Sequence, residues 1–186
     1  MECAPAQAEG ACPRVAAESS GDALASACAG LSNDYLNHYS EALMLIEMAA
    51  DDPAIGADLA EWRPVSYRGY FEASELRRAS NALAAYDALP ADRRAAFEKL
   101  VAAMDALATM AVFALQPPYQ KETAPIIAEA TVPTLRGLIA KAAAFLNSGG
   151  QDLAPDRQGE EAQIAIDRIL GHAAQRSEAY TNGLEG

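Results

Sequence analysis

Two histidines, His38 and His172, are the only ones in the chain. His38 sits beside Asn37, between Tyr35 and Tyr39, with Glu41 one helical turn on. An imidazole at the edge of a helix in an acidic bundle has the chemistry of a phosphoacceptor. Its ring must be nucleophilic, reachable, and held in one tautomer by a polar neighbour. The residues that follow, Tyr-Ser-Glu-Ala-Leu, match neither phosphotransfer domains, which show a Lys and a Gly soon after the His, nor sensor-kinase dimerisation helices. No family is assigned on this residue, and the competing reading is a structural His bonded to a neighbour.

Metal is a second possibility for the same region. His38 and Glu41 stand at i,i+3, and Glu72, Glu75, Glu98 and Asp105 lie on other expected helices. Di-iron bundles use Glu-x-x-His from two helices plus two further Glu. Here the order is reversed and occurs once, so neither a metal site nor a cofactor is expected. No GxSxG, Walker loop or GxGxxG occurs.

The third feature is aromatic. Tyr35, Tyr39, Trp62, Tyr67, Tyr70 and Phe71 put half of the aromatic residues between positions 35 and 71. Arg63 and Arg68 are interleaved with them, and Arg77 and Arg78 follow. Trp, Tyr and Arg are the types enriched at interaction hot spots. The expectation is a protein-binding surface made of His38, Trp62, Tyr67, Tyr70, Arg77 and Arg78. The competing reading is that the rings fill gaps left by small side chains.

These residues need helices to position them. Alanine, the best helix former, is the commonest residue, and no run alternates with period two. The fold class expected is all-α: a single-domain bundle of four to five main helices over 21–180. Residues 1–20 form a mobile tail, and 181–186 a frayed one. Leu24, Cys28, Leu31, Tyr35, Tyr39, Ala42, Ile46 and Ala49 recur at helical spacing and predict a long central helix over 22–50, bending or restarting at Gly30 and Ser32. The run from Ala42 to Ile46 is apolar all round and predicts burial on several sides, so Leu43→Ala and Ile46→Ala should each cost about 2–5 kcal/mol.

Further helices are expected over 66–88, 91–115, 124–147 and 160–180. Ser66 caps the first of these, Glu75 and Arg78 pair on it, and Pro90 separates it from the second in an antiparallel hairpin. Pro133 kinks or splits the fourth. The apolar side of the last is Ile164, Ile166, Ile169, Leu170 and Ala173. Trp62 should pin the connector 51–65, which carries a short helical turn at 55–62.

Charge bounds the partners. Lys and Arg number 14 against 26 Asp and Glu, a net of −12, which disfavours nucleic acid and anionic lipid and suits a basic partner. Cys3, Cys12 and Cys28 form no CxxC, and Cys3 and Cys12 should react quickly with thiol reagents. Free thiols, no basic apolar leader and no spanning run lead to a cytoplasmic expectation. The expected function is a non-catalytic interaction or regulatory module that binds another protein. Phosphotransfer through His38 is the alternative, and a small-molecule or metal site between helices is third.

Overall fold

The computed structural model describes residues 30–52, 54–116, 122–152 and 158–183, the side chains of 158 and 172–183 excepted. The N-terminal tail, the stretch 22–29, all three cysteines and the side chain of His172 therefore lie outside the described residues.

The described chain is all-α, with seven helices and no strand among the described residues. A 3-10 turn, Asn33–Leu36, leads into α1, Asn37–Asp51. Then come α2 (Ile55–Leu59), α3 (Tyr67–Glu72), α4 (Ala79–Asp87), α5 (Ala91–Ala114), α6 (Ala124–Asn147) and α7 (Gln158–Gly183). The last helix passes residue 180, where fraying was expected.

Ser32 is extended, and its hydroxyl accepts from the Asp34 N–H. That is an N-cap, so a helix begins at Ser32, one of the two positions where a bend or restart was expected. α5 and α6 pack against each other, and each also packs against α1 and α7. One face of α1 is covered (Tyr39, Ala42, Ile46, Ala49), whereas Met44 and Met48 are about half exposed and Leu43 and Leu45 are partly buried. The all-round apolar run was therefore a poor guide to burial.

The helix expected over 66–88 is two helices. Ser66 does cap the first, accepting from Gly69 N. The chain then leaves the helix between Ala73 and Arg78, which removes the spacing that would pair Glu75 with Arg78. The reason is packing: Tyr67 and Tyr86 stack with centroids 4.8 Å apart. In one straight helix those residues would be roughly 28 Å apart along the axis. Turning back buries both rings and the Ala79–Ala82 face. α4 packs on α3 and reaches α5 through Tyr86, so a close α4–α5 hairpin is not formed.

Pro133 lies inside an unbroken α6. The carbonyl it leaves without a donor belongs to Glu129, a solvent-exposed residue that water can satisfy. Gly149 and Gly150, at φ 64° and 80°, end that helix, and Gly150 N–H returns to the Phe145 carbonyl at 2.8 Å. Ala162, Ala165, Ile166 and Ile169 make the buried face of α7, while Ile164 and Leu170 point outward. No helix among the described residues is long and apolar enough to cross a membrane.

Candidate functional site: the groove between α1 and α2

His38 is in the first turn of α1, partly buried, and its Nε2 lies 2.7 Å from the Arg63 carbonyl oxygen. A carbonyl only accepts, so Nε2 carries hydrogen and donates. The ring stacks on Trp62 with centroids 4.8 Å apart and planes 20° apart. Trp62 Nε1 donates in turn to the His38 carbonyl at 3.0 Å. Arg63 folds its guanidinium back onto the Ala60 and Trp62 carbonyls. The chain after α2 is thus clamped to the start of α1, and Trp62 pins the connector as its size suggested.

Between α1 and this clamp lies an open pocket of about 340 Å³, lined by His38, Glu41, Leu45, Asp58, Glu61, Trp62 and Arg63. Met48 is three residues beyond Leu45 and seven beyond Glu41, so it continues the same face of α1, and Met44 adjoins it. Both methionines are exposed, at 51% and 45% for Met44 and Met48. Glu41, Asp58 and Glu61 bring three carboxylates to the pocket lining, and Glu47 is exposed on α1. Glu47 pairs with Arg136 of α6, which ties the helix below but leaves the other three on the rim.

The remaining expected binding residues are elsewhere. Tyr67 is 2% exposed and belongs to the core, packed on Tyr35, Phe71, Tyr86 and Phe97. Trp62 is itself 6% exposed, a floor to the groove and no free hot spot. Tyr70 is partly buried against Tyr35 and Phe71. Arg77 and Arg78 are exposed on the link before α4. His38 and Trp62 are brought together; Tyr67, Tyr70, Arg77 and Arg78 do not join them. The expected residues are thus divided: His38 and Trp62 lie at the groove, and Tyr67 lies in an interior cluster. Asp58 in the pocket lining and the exposed Met44 and Met48 beside it were not among the expected residues. The spacing of Met44 and Met48 with Glu41 was the available signal, but α1 had been placed in the core.

A second pocket, about 350 Å³, is lined among others by Tyr67, Arg68, Tyr86, Phe97, Glu98 and Asp105. Phe97 and Tyr67 expose 0% and 2%, so a guest could not reach their faces. Tyr86 donates to Glu98 at 2.8 Å, and Arg68 pairs with Asp87 and Glu72. Metal is not assigned, since no group of three or more His, Cys, Asp or Glu able to hold an ion occurs among the described residues.

The phenols of Tyr35, Tyr39, Tyr67 and Tyr86 are each hydrogen-bonded. Tyr67 hydroxyl accepts from Ser32 N–H at 2.9 Å, and burial pushes its ionisation up to about 12. Burial likewise raises Tyr35, Tyr39 and Tyr86. Comparison with family models, curated proteins and solved structures finds no match to this chain.

Proposed function

We propose that this protein is a helical module that binds another protein, holding a basic amphipathic segment in the groove between α1 and α2. The observation that supports the reading is the exposed Met44–Met48 strip continuing a pocket rimmed by Glu41, Asp58 and Glu61. Methionine adapts to varied apolar partners, and a helix laid in a groove anchors at i, i+3, i+4 and i+7. The rim and the net charge of −12 favour Lys and Arg on the partner's flanks. His38 and Trp62 form the polar and aromatic end wall.

The test is photocrosslinking from position 48 in cells, with the adduct peptide mapped. The expected result is one dominant adduct within a segment that mixes apolar residues with Lys or Arg, lost in the double variant Glu41→Lys, Glu61→Lys while the helical circular dichroism is kept. Adducts scattered over unrelated sequences, or unchanged by charge reversal, overturn the reading. Phosphotransfer through His38 remains the alternative with a defined atom. Hydrogen on Nε2 leaves Nδ1 as the nucleophilic nitrogen of the neutral ring, and acid-labile phosphate there would favour it.

A further inference from the structure

Four oxygens run in a line through the molecule behind the groove. The Val65 carbonyl lies 2.9 Å from Tyr35 Oη, Tyr35 Oη lies 3.0 Å from Tyr39 Oη, and Tyr39 Oη lies 2.6 Å from Asp105 Oδ1. All three separations are hydrogen-bond distances. Each bond needs one hydrogen. The carbonyl has none, and the two phenols have one each. With Asp105 ionised, two hydrogens serve three links, so one pair of oxygens faces lone pair to lone pair or shares a donor. One proton taken up from solvent by Asp105 completes the line. Asp105 then donates to Tyr39, Tyr39 to Tyr35, and Tyr35 to Val65. Tyr35 and Tyr39 are 0% exposed, so water cannot supply the missing hydrogen from the side.

We propose that Asp105 and these two tyrosines form a proton-operated latch, complete when Asp105 is protonated, that holds the 62–66 link against α1 and α5. Val65 is three residues from Trp62, so the latch and the groove share one short piece of chain. As a regulator of partner binding the latch rests on the function proposed above; as a structural switch it stands alone. Burial raises the Asp105 carboxyl above its usual value, opposed by the Tyr39 bond and the nearby His38. The groups facing it are Tyr35 from the 3-10 turn, Tyr39 and His38 from α1, Tyr67 and Arg68 from α3, and Tyr86 from α4, with Glu98 on its own helix. For a raised carboxyl, the folded state holds the proton more tightly than the unfolded chain. Its contribution is fully present below 3.8 and is lost as pH rises through the folded value.

The unique Trp62 indole N–H reports the link by NMR, and the Asp105 carboxyl carbon reports the proton. In the wild-type protein both signals should move with one shared inflection above 3.8, and exchange of the Trp62 amide, which donates to the Leu59 carbonyl, should quicken several-fold above it once corrected for intrinsic rate. Asp105→Asn, whose amide donates at every pH, should remove the inflection and keep exchange slow. Tyr35→Phe, which cuts the line short of Val65, should leave Asp105 titrating with no response at Trp62; it serves equally where the Asn variant does not fold. A Trp62 inflection that survives Asp105→Asn and disappears in His38→Gln overturns the latch, as does titration of Asp105 with no movement of the link. These measurements need no partner, so a failed latch leaves the groove reading standing. A latch that holds while crosslinking from position 48 fails discards the groove alone.

Discussion

The ring cluster around Tyr35 and the stacked pair His38–Trp62 meet at Tyr39, whose ring lies 5.5 Å from Tyr35, 5.7 Å from His38 and 6.1 Å from Trp62. The two regions draw on similar residue types yet end in different surroundings. Around Tyr35, rings from α1, α3, α4, α5 and α6 close over one another, ending in the Phe97–Phe145 stack at 4.9 Å. At His38 the cover is a single chain segment from α2, so one side of the pair stays open as a groove. Aromatic residues become core where several helices converge, and an edge where only one segment arrives.

The comparison breaks most clearly at Phe97. It is fully buried and touches Tyr35, Tyr67, Tyr86 and Phe145, so Phe97→Ala should cost about 3–5 kcal/mol in urea unfolding. A loss near that of a surface residue would show the cluster to be loosely packed. On α1, Ile46→Ala should cost about 2–5 kcal/mol, and Leu43→Ala, only partly buried, about 1 kcal/mol. Equal losses would mean that Leu43 is covered as well as Ile46.

Alkaline titration sharpens the contrast. The phenols of Tyr35, Tyr39, Tyr67 and Tyr86 ionise above 10.0 in the folded state, Tyr67 at about 12. Unfolded chains ionise first, so the stability held by these groups is intact below 10.0 and falls as pH rises through the folded values. Ultraviolet difference spectra should show the four titrating late or only on unfolding.

Smaller effects belong to the edge. His38→Ala removes one stacked ring and one hydrogen bond and should cost about 1 kcal/mol. Met48→Ser should change stability by less than about 0.5 kcal/mol while lowering crosslinking yield at a reporter placed at Met44. A larger stability loss there would mean that the strip is covered.

Much of this molecule was written locally. The all-α class follows from alanine and the absence of period-two runs, and residues 91–115 and 124–147 were legible because Pro90, Gly149 and Gly150 act on the chain within one turn. Ser66 as a cap was legible for the same reason. Periodicity says which residues share a face; it does not say which helix another helix covers. α1 kept Met44 and Met48 exposed, α4 folded back so that Tyr86 could stack on Tyr67, and Ile164 and Leu170 were left outside. The pairing of His38 with Trp62 and the line from Val65 to Asp105 join positions up to 66 residues apart. Such contacts are chosen by the burial of whole helices against one another. No window along the chain contains that choice.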